Sequence, residues 1–159
     1  GAQAGLYHHY GIGKSNLNAK LFGVFEHKIT QPGLPLFRGF DDVFLVPHSR
    51  YTETRLEDIR SHPELMLLCY SDKAGVNVVA SRDFRQIFVT GHFEYNPETL
   101  NQEYVRDKNK GIDTPLPENY FPNNNPQAEP FVRWRATANL FFINWLNYYV
   151  YQETPYEWS

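Results

Sequence analysis

A histidine and a carboxylate stand two residues apart in the segment Gly91 to Tyr95, directly after an apolar run. That run, residues 86–90 (Gln-Ile-Phe-Val-Thr), predicts a strand that ends at a glycine, the kind of position where an α/β sheet opens into a site. Because side chains alternate along an extended segment, His92 and Glu94 are predicted to point to the same side. A carboxylate there orients an imidazole and stabilises its charged form, which is the second half of a nucleophile–histidine–acid relay. The competing interpretation is structural: a histidine at a strand end beside a solvated glutamate.

The sequence offers no clear nucleophile for such a relay. Cys69 is the only cysteine, and it lies inside the apolar run 65–70 with no flanking glycine turn and no cationic neighbour. Apolar burial raises the pKa of a thiol and makes it unreactive, so Cys69 is predicted to be a core residue. A single cysteine also excludes zinc deaminases, which pair a His-x-Glu motif with Pro-Cys-x-x-Cys. It excludes a disulfide framework as well, which is consistent with a reducing cytosol.

Length and charge exclude several other classes. The 159 residues suffice for one domain or a large piece of one. A net charge of −3 without any basic block predicts no nucleic-acid partner. No apolar run approaches the roughly 18 residues of a bilayer span, so no membrane partner is predicted. Residues 11–15 lack the first glycine of a phosphate loop, whose place His8 takes. His8 and His9 diverge on a helix and the other histidines lack ligand spacing, so we expect no metal site.

Hydrophobic periodicity predicts strands and helices in the pattern of a layered α/β domain. Helices are predicted at residues 2–10, 56–62, 96–110 (with Asn96 as N-cap) and 131–149, and strands at 20–30, 42–46, 65–70, 76–81 and 85–90. Residues 112–130, rich in proline and asparagine, are predicted to be a loop long enough to suggest a function or an interface. The last helix carries an amphipathic stripe of Phe131, Trp134, Ala138, Phe141, Trp145 and Tyr149.

Three more polar residues have positions of interest. Arg106 lies on the helix that follows His92. An exposed helical arginine is the default, and the alternative is an arginine that returns toward His92 to bind a substrate carboxylate bidentately. Ser49 is predicted at a strand end, facing whatever site the sheet builds. Lys20 opens a strand, and on its own it indicates nothing.

Taken together, several segments resemble the MetA family of homoserine O-acyltransferases, which comprises O-acetyltransferases and O-succinyltransferases. The resemblance covers essentially all 159 residues and is carried by Gly1-Ala2-Gln3-Ala4, Tyr10-Gly11-Ile12, Lys20-Leu21-Phe22-Gly23-Val24-Phe25-Glu26-His27, Arg38-Gly39-Phe40-Asp41-Asp42, Pro47-His48-Ser49-Arg50-Tyr51, Phe88-Val89-Thr90-Gly91-His92-Phe93-Glu94-Tyr95, Gln102-Glu103-Tyr104-Val105-Arg106-Asp107, Tyr120-Phe121-Pro122 and Asn144-Trp145-Leu146-Asn147-Tyr148-Tyr149-Val150-Tyr151-Gln152. The implied fold is the flavodoxin-like, three-layer α/β fold of class I glutamine amidotransferases.

The resemblance also implies that residues 1–159 are the C-terminal part of a single acyltransferase domain. In the family a Cys-Trp pair directly precedes the segment that matches residues 1–4, and its cysteine is the nucleophile at a strand-to-helix elbow. The sequence is therefore expected to begin just after that elbow, without the nucleophile and the N-terminal half of the fold. We expect these residues to be inactive on their own.

The implied reaction is ping-pong acyl transfer from acyl-CoA to L-homoserine, in methionine biosynthesis. The absent cysteine takes up the acyl group as a thioester, and His92, oriented by Glu94, removes the proton of the homoserine hydroxyl that attacks it. Lys20, Ser49 and Arg106 are the implied substrate-binding residues. Acyl-CoA is a co-substrate, and the resemblance implies neither a cofactor nor a metal. The implied protein is a cytoplasmic homodimer, and the missing N-terminal half is one of its partners.

The resemblance leaves two alternatives each for the acyl donor and for the amino acid that accepts the acyl group. Residues 1–10 look like those of relatives from Gram-positive bacteria, many of which use acetyl-CoA, so acetyl is favoured over succinyl. The acceptor is L-homoserine or, as in some close relatives, L-serine. Two hypotheses from other classes compete: a non-catalytic remnant that survives as a binding or dimerisation module, and a glutamine-hydrolysing amidotransferase of the same fold. The remnant has no use for His92, Glu94 and Arg106 together, and the amidotransferase needs neither Arg106 nor the aromatic C-terminal segment.

Overall fold

The computed structural model of the protein describes residues 1–151, which form one five-stranded sheet with helices on both faces. The strands lie in the order β2-β1-β3-β4-β5, and every pairing between them is antiparallel. Their bounds are β1 Lys14–Ile29, β2 Val43–Thr54, β3 Leu65–Ser71, β4 Gly75–Ser81 and β5 Ile87–Val89. The helices are α1 Ala2–Tyr10, α2 Leu56–Ser61, α3 Thr99–Asn109 and α4 Arg135–Trp145.

Two apolar clusters on opposite faces of the sheet make the molecule three-layered, as predicted. On one face α1 and α2 bury Leu6 and Ile59 against β3 and β4. On the other face α4 buries Ala138 and Phe141 against side chains of β2, β3 and β4. Among the described residues, no helix combines the length and the apolar character needed to cross a membrane.

A third cluster lies where α3 and the segment that follows it pack on the β1–β2 hairpin. Trp134 and Tyr120, both almost fully buried, are its largest members. Leu100 joins it from α3, and Phe22 and Val24 join it from β1. This cluster fixes α3 over the hairpin, so polar side chains on α3 reach those of β1 and β2.

The predicted loop at residues 112–130 is confirmed as a segment whose only helical turn is the short one at Pro122–Asn124. It is tied to β1 on both sides of Gly23: the Val24 N–H donates to the Glu118 carbonyl (2.9 Å), and the Glu118 N–H donates to the Phe22 carbonyl (2.9 Å). Gly23 has φ +143°, and a Cβ there would lie 2.4 Å from the Glu118 carbonyl oxygen. Only glycine allows this close approach of two backbones.

The four predicted helices are present, and the first ends as predicted, whereas the third and fourth need correction. The helix at residues 2–10 ends at Gly11, which takes the left-handed conformation with φ +68°. The third helix begins at Thr99, later than predicted. Asn96 does not cap it directly; its Oδ1 accepts hydrogen bonds from the Glu98 N–H (3.0 Å) and the Thr99 hydroxyl (2.9 Å), which closes the turn before α3.

The terminal helix is shorter than predicted, and its apolar stripe is correct only in part. α4 begins at Arg135, and a π-helical turn follows it at Leu146–Val150. Phe131 precedes the helix and is 57 % exposed, and Trp145 is 39 % exposed. The stripe assumed one uninterrupted helix, whereas the chain enters α4 from an irregular segment and leaves it through a wider turn.

The first two strands are longer than predicted, which relocates two candidate residues. β1 begins at Lys14 and β2 continues to Thr54, so Lys20 does not open a strand and Ser49 does not end one. The pairing register of β1 and β2 shifts between residues 16 and 21, so β1 bulges there. Lys20 lies in this bulge, which carries it out of the regular ladder and toward α3.

Candidate active site

The turn that carries His92 is held between two strands by its backbone. The Thr90 and Gly91 N–H groups donate to the carbonyl and to the side-chain Oδ1 of Asn77 on β4, both at 2.8 Å. The His92 N–H donates to the Pro47 carbonyl on β2, also at 2.8 Å. These bonds fix the backbone on both sides of Gly91.

Gly91 allows this arrangement because there is no room for a side chain. A Cβ at position 91 would lie 2.6 Å from Val46 Cγ1, 2.7 Å from Asn77 Oδ1 and 3.0 Å from His48 Nε2. Real Cβ atoms essentially never approach neighbours this closely, so these side chains would have to shift out of their packed positions. The glycine seen in the sequence therefore marks a close packing point directly before the histidine.

His92 and Glu94 form a hydrogen-bonded pair, with 2.8 Å between Nδ1 and Oε1. The prediction that His92 and Glu94 share one side of a strand is wrong, because β5 ends at Val89 and both residues lie beyond it. A turn closed by the Tyr95 N–H and the His92 carbonyl (3.1 Å) brings the two side chains together instead. Since the carboxylate accepts the Nδ1 hydrogen, the neutral form of the ring has its lone pair on Nε2, and no described residue hydrogen-bonds to Nε2.

His92 lies in a cleft of about 450 Å³ that also contains the start of α1. The cleft walls include residues 1–4, Arg50 on β2, and Phe141 and Phe142 on α4. The His92 side chain is 33 % exposed, so a molecule in the cleft can reach it. The arrangement suits a general base: a partly exposed imidazole with its tautomer fixed by a carboxylate.

The three predicted substrate-binding residues converge on two carboxylates of α3. Lys20 donates to Asp107 Oδ2 (3.1 Å) and lies 3.8 Å from Glu103. The Ser49 hydroxyl donates to Glu103 Oε2 (2.5 Å). Arg106 contacts Asp107 Oδ1 through Nε (3.0 Å) and Nη2 (2.9 Å). The structure thus brings Lys20, Ser49 and Arg106 into one charged cluster.

Glu103 and Asp107 were not predicted as site residues, although the sequence carries one signal for them. The two residues are four positions apart on α3, so they share a face of the helix. What the sequence could not show is that the bulge of β1 and the middle of β2 lie opposite that face. The hydrogen bonds from Arg106 and Lys20 lower the pKa of Asp107, and those with Asp107 raise the pKa of Arg106.

Arg106 is the member of the cluster that is open to solvent. Its side chain is 55 % exposed, and Asp107 occupies only the Nε and Nη2 edge of the guanidinium. Among the described residues, none pairs with Nη1. An arginine oriented in this way presents its outer edge to a carboxylate.

Tyr95 connects the two parts of the site. Its ring lies parallel to the His92 ring, with 4.4 Å between centroids and 5° between planes. Its hydroxyl donates to Glu103 Oε1 at 3.3 Å. The base and the charged cluster are therefore neighbours, joined through one aromatic side chain.

A second histidine pair, also missed, lies behind Gly91. His27 Nδ1–H donates to the Phe25 carbonyl (2.8 Å), and the Nε2 atoms of His27 and His48 are 3.0 Å apart. Burial lowers the pKa of His27 to about 4 and lowers that of His48 well below its usual value. Both rings are therefore neutral. His48 Nε2–H donates to His27, and His48 Nδ1 has no described partner.

Cys69 is a core residue, as predicted. It is fully buried, and the one polar group of residues 1–151 that contacts its sulfur is the Asn77 amide nitrogen at 3.6 Å. Burial raises the pKa of its thiol to about 12, so it is not a thiolate at neutral pH. Within residues 1–151 there is no group of three or more histidine, cysteine, aspartate or glutamate side chains placed to hold a metal ion.

The three-layer architecture is shared with a known class of fold. The chain superposes on a solved glutamine amidotransferase from Methylobacillus flagellatus with a TM-score of 0.60, covering 92 % of this chain and 59 % of that one at 14 % identity. It superposes on the protein SMU.1228c with a TM-score of 0.64, covering 92 % and 60 % at 18 % identity. At such identities the likeness defines the fold, which is glutamine amidotransferase-like.

Sequence comparison defines the family. Residues 1–156 match the family model of homoserine O-succinyltransferase. A homoserine O-acetyltransferase of Brevibacillus brevis is 61 % identical over 157 residues, which is 99 % of this chain and 51 % of that protein. One from a Geobacillus species is 60 % identical over 159 residues, 100 % of this chain and 53 % of that protein. The chain belongs to the homoserine O-succinyltransferase family, and it spans about half the length of the curated relatives it matches.

Proposed function

We propose that the protein transfers an acyl group, acetyl in preference to succinyl, from acyl-CoA to the hydroxyl of L-homoserine through a cysteine thioester, as a step of methionine biosynthesis. The observation that carries the proposal is the His92–Glu94 pair, a fixed imidazole that Tyr95 joins to the charged cluster with the exposed guanidinium of Arg106. The acetyl preference rests on the names of relatives near 60 % identity, whereas the family model is named for succinyl transfer.

The charges of the site suit an amino acid that carries a reacting hydroxyl. The outer edge of Arg106 binds the carboxylate, and Glu103, which Ser49 and Lys20 hold in place, accepts the ammonium group. Lys20 is itself neutralised by Asp107 at 3.1 Å, so its role is to fix the two carboxylates of α3. Tyr95 separates this cluster from His92 by one ring, so the hydroxyl of a bound acceptor lies toward the base.

The reaction then has two steps. A cysteine thiolate attacks the thioester of acyl-CoA, and CoA leaves as a thiol after taking a proton from the His92 imidazolium. In the second step His92 Nε2 removes the proton of the homoserine hydroxyl as its oxygen attacks the enzyme thioester. The cysteine leaves as a thiolate, and O-acyl-homoserine is released. Glu94 stabilises the imidazolium formed in this step, and neither step uses a cofactor.

The thioester requires a cysteine that residues 1–159 do not supply. Cys69 is the only cysteine of the sequence, and it is fully buried. We therefore assign the nucleophile to the half of the relatives' length that this chain does not span. The start of α1 shares the cleft with His92, which is where a nucleophile next to this base has to lie.

The test is intact-mass spectrometry of the full-length protein after exposure to acetyl-CoA or, separately, succinyl-CoA. We expect a single acetyl adduct that L-homoserine discharges, with little adduct from succinyl-CoA. Discharge of the adduct by L-serine but not by L-homoserine would identify L-serine as the acceptor. A mass that neither donor changes would overturn the acyltransfer proposal, and hydrolysis of L-glutamine by the same sample would support an amidotransferase instead. Cys69→Ala is the matched control and is expected to form the same adduct.

The family resemblance also leads us to propose a cytoplasmic homodimer. Light scattering on the purified full-length protein tests the dimer, and a mass equal to one chain would contradict it. Cell fractionation tests the location.

A further inference from the structure

Tyr95 is held at three points, each by a different part of the molecule. Its carbonyl accepts the indole N–H of the buried Trp134 at 2.9 Å. Its ring lies against the His92 ring at 4.4 Å, and its hydroxyl reaches Glu103 Oε1 at 3.3 Å. Burial is the largest of the causes that raise the pKa of its hydroxyl, with the Glu103 charge next. The hydroxyl therefore stays protonated and donates.

From this geometry we propose that Tyr95 is a positioning residue, which fixes the plane of the His92 imidazole and ties it through Glu103 to the charged cluster of Lys20, Ser49 and Arg106. The inference rests on the proposed function and deepens it. It concerns which side chain keeps the base in its reactive orientation, and it assigns that task to the ring that covers one face of His92.

The stack opposes rotation of the His92 ring. A half turn about the Cβ–Cγ bond would place the carbon Cδ2 in front of Glu94 and break the 2.8 Å hydrogen bond from Nδ1. A parallel ring at 4.4 Å blocks the path of that rotation, because an imidazole turning on edge needs more space than the stack leaves. A tyrosine face also attracts the imidazolium that forms when Nε2 takes up a proton.

The other charged and titratable groups around His92 do not perform this task. Glu94 fixes one nitrogen but leaves the ring plane free. The remaining neighbours lie in the same cleft or behind Gly91 and do not stack on the imidazole: Lys14, His48 and Arg50. Tyr95 is the one aromatic side chain of residues 1–151 with a ring contact to His92.

The hydroxyl of Tyr95 adds the connection to the charged cluster. Glu103 uses Oε2 for the Ser49 hydroxyl (2.5 Å) and Oε1 for Tyr95 (3.3 Å), so the carboxylate and the tyrosine ring are fixed together. Loss of the hydroxyl alone frees one oxygen of Glu103 but keeps the stack. Loss of the ring removes both. Tyr95→Phe and Tyr95→Leu therefore separate the two contributions.

The experiment compares both variants with the parent full-length protein by two measurements. The first is the tautomer of His92, read from the ¹⁵N chemical shifts of its two ring nitrogens without any substrate. The second is the split between kcat and the acceptor KM. For Tyr95→Phe we expect the parent tautomer and an acceptor KM raised about threefold to tenfold. For Tyr95→Leu we expect mixed tautomers and a kcat lowered about tenfold or more.

Tyr70 provides the matched control, because it is a half-buried tyrosine on β3 that packs against the cluster under α1 and α2. Tyr70→Phe and Tyr70→Leu report how loss of a tyrosine affects folding, and both are expected to keep the His92 tautomer. A single parent-like tautomer in Tyr95→Leu would overturn the proposal, as would identical kinetics for Tyr95→Phe and Tyr95→Leu. If the parent protein transfers no acyl group, the proposed function fails while the tautomer measurement still decides the role of Tyr95.

Discussion

Two histidines near Gly91, His92 and His48, each form a pair with another side chain. The two pairs differ in the chemistry of the partner and in how deeply the rings are buried. His92 is paired with a carboxylate at 2.8 Å and is one-third exposed. His48 is paired with another imidazole at 3.0 Å, and both rings of that pair are fully buried. The two pairs are so close that a Cβ on Gly91 would touch His48.

The comparison shows that the partner and access to solvent, more than the imidazole itself, decide which histidine can act as a base. Protonating His92 places a positive charge beside Glu94, whose negative charge compensates it. Protonating His48 or His27 places a charge in an apolar interior beside a second imidazole and near Arg50, and burial opposes this. The buried pair is thus neutral, and the exposed pair is available for proton transfer.

Replacing His92 should have the largest effect. In the full-length protein His92→Ala removes the base, and we expect acyl transfer to homoserine to fall by about 10²–10⁴-fold. The measurement is the single-turnover rate of discharge of the preformed thioester. His9→Ala, an exposed histidine on α1, is the control and should retain the parent rate. A His92→Ala rate within threefold of the parent would contradict the assignment of the base.

Neutralising Glu94 should have a smaller effect on the same rate. Glu94→Gln retains an oxygen that accepts the Nδ1 hydrogen but removes the charge that stabilises the imidazolium. We expect the discharge rate to fall about tenfold to a hundredfold. In the buried pair, His27→Gln likewise replaces the partner of a histidine by glutamine, and this variant should slow discharge much less. If both changes slowed it equally, the distinction between the two pairs would be lost.

Local sequence patterns were enough to predict one of these pairs and not the other. His92 and Glu94 are two residues apart, so any tight local geometry brings them together, even though a turn rather than a strand does so. His27 and His48 are far apart in sequence and meet only because β1 and β2 pair in a particular register. Spacing within one segment carries no information about register between two segments.

The same limit explains why the charged cluster of Lys20, Ser49 and Arg106 could not be predicted from local sequence patterns. The sequence placed Arg106 on a helix, and the resemblance to a family, not the residue pattern, assigned binding roles to Lys20 and Ser49. A bulge in β1 and the continuation of β2 past Pro47 bring both residues under α3. Bulges and strand ends depend on packing against distant segments, so periodicity could predict the strands but not the site between them.

The buried His27–His48 pair should make the stability of the folded protein sensitive to acid. Burial lowers the pKa of His27 to about 4 in the folded protein, against 6.5 for an exposed histidine. As the pH falls below 6.5, His27 binds a proton in the unfolded chain but not in the folded protein. The free energy of unfolding therefore decreases until about pH 4. His27 alone accounts for about 3 kcal/mol of this loss.

Urea unfolding of the full-length protein at pH 7, 5.5 and 4.5 measures the effect. The stability of His27→Gln should depend less on pH than that of the parent, although the variant is less stable at pH 7. His62→Gln, which changes a histidine outside the buried clusters, should keep the parent's pH dependence. Equal slopes for the parent and His27→Gln would show that the buried pair is not the neutral element described above.

The smallest effect on acyl transfer is expected at Cys69, whose thiol is another buried group with a reactive atom. Cys69 lies on the sheet beneath the same turn, where Asn77 contacts both its sulfur and the Gly91 N–H. If burial removes reactivity from a thiol as it does from the His27–His48 pair, Cys69→Ala should change the rate of thioester formation by less than about twofold. Its cost should appear in stability instead, because the substitution leaves a small gap in a packed core. Loss of the acyl adduct with stability retained would mean that a buried group takes part in the chemistry, and the contrast between the two regions would then have to be abandoned.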